Sequence, residues 1–314
     1  LSSAASDVYK RQGCMRFPMK DDGQGGREVD ESISTPIIRH AIDNGLNYVD
    51  TAYVYSDRKN EKAVAHALRD GYREKVYLAT KIPTWDIHSP EDMDRLLAEQ
   101  LANLETDHID FYLVHSLNKG TWTKVRDLGI RDFLTKAKAE GKIKYACFSF
   151  HDNYDTFIDI IDSYDWDMCQ IQFNYMDIEN QATQKGLEYA GKKGIPVVIM
   201  EGLLGGKLAK APDNVQALYD AFPVKRSPVE WAFRWLCNHP EVATVLSGVT
   251  SMEQCDDNLS IFDRCKVGVM TEAEEELIAR VREAYKSRTK VGCTGCRYCM
   301  PCPNGVDIPR IFAI

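Results

Sequence analysis

The chain has 314 residues, 44% of them hydrophobic and 27% charged, with a formal net charge of −8 at pH 7. That length suits one large domain with a small appendage and can bury a sizeable core. The acidic balance argues against nucleic acid and anionic membranes as partners, and no stretch approaches the roughly 20 apolar residues that cross a bilayer. Of the ten cysteines, Cys14, Cys147, Cys169, Cys237, Cys255 and Cys265 stand singly, several in apolar runs where a free thiol acts as a small hydrophobe. The others crowd into Cys293-x-x-Cys296-x-x-Cys299-x-x-Cys302. A secreted disulfide scaffold is short and cysteine-dense throughout, so this usage points to a reducing cytoplasm.

Residues 1–12 carry no fold signal, and Asp7 to Gln12 resembles a translated sequencing adapter; they are read as a non-biological leader. A shortened first strand is expected near Gly13–Phe17. Gly23-Gln-Gly25-Gly26 follows at a spacing that does not match G-x-G-x-x-G, so it is read as a flexible loop. Apolar, β-rich runs then recur at Asn47–Ala52, Val76–Ile82, Ile109–His115, Ile143–Phe150, Cys169–Phe173, Ile195–Met200 and Val242–Gly248. Most begin roughly 25 to 35 residues apart, the length of one βα unit. Their nearly continuous apolar character suits parallel strands covered on both faces.

Helical patterns fill the gaps. Asn60–Arg69 places Ala63, Val64, Ala67 and Leu68 on one face. Ser89-Pro90-Glu91-Asp92 and Thr271-Glu-Ala-Glu274 read as helix starts, each with a cap residue and early acids. Together these units predict an α/β chain folded as a (β/α)8 TIM barrel over 13–287, in preference to an open doubly wound sheet. After about Lys290, Gly, Cys, Pro and Asn dominate as far as Pro309. The segment 288–314 is too short for its own core and needs a staple, which four cysteines provide.

Barrel catalysis is sited at the C-terminal ends of strands. Three consecutive predicted strands end in Asp50, Lys81 and His115, and Tyr53 and Tyr55 stand one short loop beyond Asp50. A carbonyl that receives hydride builds negative charge on oxygen and needs a proton donor. Tyrosine, with a reference pKa of roughly 10, is a poor acid unless a neighbouring ammonium stabilises its anion. A buried Lys in turn needs a carboxylate, and a His can orient the carbonyl oxygen.

The runs Asp50-Thr-Ala-x-x-Tyr55, Lys81 and His115 resemble the catalytic tetrad of the aldo-keto reductases, and the likeness spans nearly the whole chain from Gly13. It implies Tyr55, rather than Tyr53, as proton donor, Lys81 and Asp50 as the groups that tune it, and His115 as the substrate-positioning residue. Ser149 and Gln170 match the family's contacts to the nicotinamide carboxamide, with Gln172 a nearby alternative. His151 is given no chemical role. Leu203-Leu-Gly205-Gly206-Lys207 resembles the loop that folds over the pyrophosphate, and Ser247 through Gln254 and Asn258 the region that holds the adenosine end. Met200 stands where many members stack a Tyr on the nicotinamide. Gly248 and Gln254 replace basic residues that grip a 2′-phosphate, so the cofactor is read as NADP or NAD, with NADP first on family habit.

Gly13-Cys-Met-Arg16-Phe-Pro resembles the first-strand motif of a bacterial branch that carries iron–sulfur. The cysteine run is too compact for two zinc-binding pairs and resembles a ferredoxin motif, although its last gap is two residues rather than three. Cys293, Cys296 and Cys299, with Cys302 as the fourth, are thus expected to ligate a 4Fe-4S cluster through which a redox partner could be reached. The implied substrate is a small-molecule carbonyl. The alternative reading is a redox-sensing or cofactor-binding subunit with little turnover. Trp85 and Trp122, on loops beyond the strands, suit an apolar pocket wall or core packing equally.

Overall fold

A computed structural model describes residues 11–14, 17–23, 25–288 and 302–312. Eight parallel strands pair in chain order into one sheet: β1 (Arg11–Gly13), β4 (Tyr48–Asp50), β5 (Tyr77–Ile82), β6 (Ile109–Leu117), β7 (Ile143–Phe150), β8 (Met168–Gln172), β9 (Val197–Met200) and β10 (Val242–Val245). The Gly13 amide donates to the carbonyl of Ser247, just past β10, at 3.1 Å, so the two edges of the curled sheet meet. The first strand lies two residues earlier than Gly13–Phe17, with Arg11 and Gln12 in register with Tyr48 and Val49. Beyond it the chain reaches Pro18, which has no N–H to offer a ladder.

The described residues of the glycine-rich stretch lie in a turn, as expected of a loop, but strands flank it that the sequence did not show. Those strands are an antiparallel pair, β2 (Met19–Asp21) with β3 (Arg27–Val29). Gly23 and Gly25 take φ of 73° and 86°, and the Gly23 and Gly26 amides donate to the carboxylates of Asp21 and Asp22. Alternating hydrophobicity is too short there to be read as strand.

Helices wrap the sheet. Those used below are α1 (Glu31–Asp43), α2 (Asn60–Ala67), α3 (Pro90–Asn103), α4 (Lys119–Asp127), α5 (Ile130–Ala139), α6 (Tyr154–Ile161), α7 (Thr183–Lys192), α8 (Asp213–Ala221), α9 (Pro228–Cys237), α10 (Met252–Arg264) and α11 (Glu272–Lys286). Ser89 and Thr271 begin α3 and α11 with capping boxes, as their sequences predict. The helices' apolar stripes and the outward strand residues, such as Val49, Leu78 and Ile171, form the main core.

A second, smaller core fills the barrel: Tyr48, Ala79, Phe111, Leu113, Cys147, Met168 and Val198. Side chains two apart on a strand share a face. The positions two beyond these inward residues are Asp50, Lys81, His115, Ser149, Gln170 and Met200. Strand periodicity alone therefore carries the candidate polar residues to the C-terminal mouth, directly above an apolar plug.

Candidate active site

Lys81 is 1% exposed and organises the mouth. Its ammonium donates to Asp50 Oδ1 at 2.6 Å and to the Thr51 carbonyl at 2.7 Å. Its Nζ lies 4.8 Å from the centre of the Tyr55 ring. Burial alone would drive the Lys81 pKa down, but the Asp50 carboxylate and Tyr55 hold it above its ordinary value. Gln170 Nε2 donates to the second Asp50 oxygen at 3.1 Å, which fixes that carboxylate from both sides.

The half-buried Tyr55 is subject to two opposed effects. Burial raises its pKa and the Lys81 ammonium lowers it, and the balance lies above the ordinary value of 10. The expectation that Lys81 makes Tyr55 a stronger acid is thus met in sign but outweighed by desolvation. Tyr53 faces elsewhere, with its hydroxyl on Glu99 and beneath Arg58. Residues 56–58, just past Tyr55, all adopt positive φ, between 49° and 66°, although none is glycine. Such backbone is strained and tends to gather at functional sites.

His115 stands edge-on to Tyr55, with ring centres 6.1 Å apart. The β6–β7 register shifts between Val114 and Leu117, and Ser116 takes a φ of 55°, so an irregularity in the strand aims the imidazole into the mouth. Burial, helped by Lys81 and His151, lowers the His115 pKa to about 3, which leaves the ring neutral. His115 Nδ1 is buried and has no hydrogen-bond partner among the described residues.

Of the expected cofactor contacts, Ser149 and Gln170 reach the mouth. Ser149 Oγ accepts from the Ser116 amide at 2.8 Å. Gln170 Oε1 is buried without a partner among the described residues, whereas Gln172 Oε1 accepts from Gln181. Leu203, Gly205, Ser247, Gly248 and Gln254 line a cavity of about 220 Å³ beyond β9 and β10. Gly205 and Gly206 take φ of 65° and 93°, which only glycine adopts without strain. Gly202 packs so tightly that a Cβ would lie 2.8 Å from Leu236 Cδ1. Asn258 Nδ2 donates to Ser247 Oγ at 2.8 Å, and Gln254 Oε1 accepts from the Thr250 amide, so these side chains shape the cavity wall. Lys207 is exposed and is not among the cavity-lining residues.

The two tryptophans separate. Trp122 is buried in α4 against Trp166 and belongs to the core. Trp85 is 42% exposed, its ring 5.2 Å from that of His115. Cys293, Cys296 and Cys299 lie outside the described residues, and Cys302 is a half-exposed free thiol. Among the described residues no His, Cys, Asp and Glu cluster is arranged to hold a metal, and no helix is long and apolar enough to cross a membrane.

Sequence reasoning missed Asn60, Glu61 and Gln100, all buried polar residues behind Lys81. The signal was present: Asn60 shares a helical stripe with Ala63, Val64 and Ala67, and Glu61 one with Val64, Ala65 and Leu68.

A barrel with these four side chains at one mouth and a glycine-lined cavity beside them defines a class. The model of the Aldo/keto reductase family matches residues 13–275, and the chain belongs to that family, an NAD(P)H-dependent reductase by class. It is 26% identical to "Uncharacterized oxidoreductase YrpG" of Bacillus subtilis (strain 168), over 76% of this chain and 84% of that one. The holo form of aldo-keto reductase AKR11C1 from Bacillus halodurans superposes with a TM-score of 0.72 at 22% identity, covering 87% of this chain and 91% of that one. An aldo-keto reductase from Klebsiella pneumoniae in complex with NADPH does so with a TM-score of 0.69 at 21% identity, covering 87% and 90%.

Proposed function

We propose that the chain reduces a small aldehyde or ketone to the alcohol, with Tyr55 as proton donor. The observation that carries this reading is a single buried ammonium, Lys81, that donates to Asp50 and stands 4.8 Å from the centre of the Tyr55 ring, while a neutral imidazole whose Nδ1 has no partner among the described residues faces the same space. A bound NADPH or NADH supplies the hydride to the carbonyl carbon. The neutral His115 ring orients the carbonyl oxygen by one N–H, and Tyr55 gives its proton to that oxygen. The tyrosinate left behind is stabilised by Lys81, whose own charge Asp50 holds in place.

The residues present fit a nicotinamide dinucleotide. The orphan Gln170 Oε1 is an acceptor for a carboxamide NH2, and the Ser149 hydroxyl retains a proton to donate. Backbone at Gly205 and Gly206 permits close approach of phosphate oxygens. Neither Gly248 nor Gln254 supplies a cation for a 2′-phosphate, so NAD and NADP are both accommodated; the NADPH bound by the Klebsiella pneumoniae relative supports NADP as the first choice. Trp85 beside His115 suits a substrate with an apolar face.

The cysteine run from Cys293 to Cys302 is proposed to ligate a 4Fe-4S cluster that could reach a redox partner, on the strength of its spacing. Iron analysis and the visible absorption of anaerobically purified protein test it; an iron-free, colourless protein would discard it. The catalytic reading is tested by consumption of NADPH or NADH with a panel of aldehydes. Cofactor fluorescence quenching without turnover of any of them would overturn it in favour of a binding subunit.

A further inference from the structure

Glu61 is 1% exposed, yet among the described residues no cation pairs with it. Its carboxylate is held by neutral donors: Thr80 Oγ1 at 2.6 Å and Gln100 Nε2 at 2.8 Å on Oε1, and Asn103 Nδ2 at 3.1 Å on Oε2. Burial raises its pKa while these three donors lower it, and burial prevails. A buried carboxylate without a counter-ion is costly, and apolar replacement is the ordinary solution for mere packing. Something other than packing therefore accounts for Glu61.

The network runs to Lys81. Thr80 is its neighbour on β5, and Gln100 Nε2 also donates to the Lys81 carbonyl at 3.1 Å. Gln100 is itself fixed by the Tyr112 hydroxyl, which donates to its Oε1 at 2.8 Å. The residue before Glu61 anchors the other half of the site. Asn60 Oδ1 accepts from Thr51 Oγ1 at 2.7 Å, its Nδ2 donates to the Cys14 carbonyl at 2.9 Å and to Ser56 Oγ at 3.2 Å, and its backbone amide donates to the Tyr55 carbonyl. Adjacent side chains at the start of α2 thus grip the Tyr55 loop and the Lys81 strand.

We infer that Glu61 is a positioning residue that sets the Lys81 ammonium against the Tyr55 hydroxyl, with Asn60 as its anchor on the Tyr55 side. Glu61 touches neither substrate nor cofactor. It acts through Thr80 and Gln100 on the backbone from which Lys81 projects. The inference rests on the reading of Tyr55 as proton donor.

The test measures kcat, its pH profile and cofactor affinity for the full chain carrying Glu61→Gln or Thr80→Val, with Tyr55→Phe alongside. Glu61→Gln keeps one acceptor oxygen but sets an NH2 group against at least one of the three donors, Asn103 Nδ2 in the orientation that preserves the contacts to Thr80 and Gln100. Its kcat is expected to fall about 10-fold, while the cofactor Kd, read by fluorescence quenching, stays within about 3-fold. The alkaline limb of the kcat profile should move to higher pH, because Tyr55 loses the cation that opposes its burial. Thr80→Val, nearly isosteric, should lower kcat about 3-fold with a smaller shift in the same direction. If Glu61→Gln does not fold, Thr80→Val decides alone. Wild-type kcat in the folded variants, or a lower kcat with an unmoved pH profile, overturns the inference and leaves the Tyr55 reading intact. Wild-type turnover in Tyr55→Phe overturns the reading itself.

Discussion

At the N-terminal mouth of the barrel, Asp110 accepts from Arg73 at 2.9 Å, Lys144 at 2.7 Å and the Leu78 amide at 2.9 Å. At the C-terminal mouth, Asp50 accepts from Lys81 at 2.6 Å and Gln170 at 3.1 Å. Both carboxylates are buried, but their cations are not alike: Arg73 and Lys144 are 16% and 50% exposed, Lys81 only 1%. Around Asp110 the acceptor is saturated and its cations keep contact with water. Around Asp50 the cation is buried, a phenol ring stands beside it, and among the described residues the neighbouring His115 Nδ1 and Gln170 Oε1 are unmatched. A saturated pair serves stability, because nothing remains for a ligand to satisfy. A pair set among orphan atoms has its hydrogen-bonding capacity held open, at a cost in folding free energy that only a ligand recovers.

That contrast can be broken at either end. The largest effect is expected from Asp110→Ala, which leaves Arg73 without its carboxylate and should cost about 3 kcal/mol or more in urea unfolding, with kcat per folded molecule within about 3-fold of wild type. A large loss of kcat in the folded fraction would show that the two mouths are coupled. Tyr55→Phe should do the reverse, lowering kcat at least ~100-fold, or about 2.7 kcal/mol in barrier, with an unchanged melting temperature.

His115 sharpens the comparison through pH. Its folded pKa of about 3 lies below the unfolded value near 6.5, so between them the unfolded chain binds the extra proton. Stability is therefore full above about pH 6.5 and declines as pH falls; at about pH 5 this one group removes about 2 kcal/mol. His115→Gln should lose correspondingly less stability between about pH 7.5 and 5, and equal losses in the two proteins would refute the assignment. The same ring, neutral in the folded state, should leave no step near pH 6.5 in the kcat profile. The smallest effect is expected from Trp85→Ala, a rise of about 5-fold in KM for apolar aldehydes with little change for short polar ones. An equal rise for both would remove Trp85 from the substrate wall.

The apolar runs and their spacing made the strands legible, because parallel strands buried on both faces leave a continuous signature. Ile143–Phe150 was legible to the residue. The antiparallel pair at 19–29 was not, since two three-residue strands joined by glycines carry too little pattern. The tetrad was legible because its members are strand-end residues of unusual type in consecutive units. Its supporting network went unread, because Glu61 and Gln100 look like ordinary helix-surface polar residues unless the apolar stripe each shares is weighed.

Sequence alone determined the eight-unit repeat, the inward-facing register that carries Asp50, Lys81, His115, Ser149 and Gln170 to one mouth, and the glycines of the 203–207 loop. Those follow from local rules: side-chain period, strand length and backbone permissiveness. Only the tertiary structure decided that burial outweighs Lys81 in setting the Tyr55 pKa, that Trp85 faces the site while Trp122 does not, and that Glu61 backs Lys81. Desolvation and hydrogen-bond satisfaction depend on every neighbour in space, and those neighbours come from helices and strands far apart along the chain.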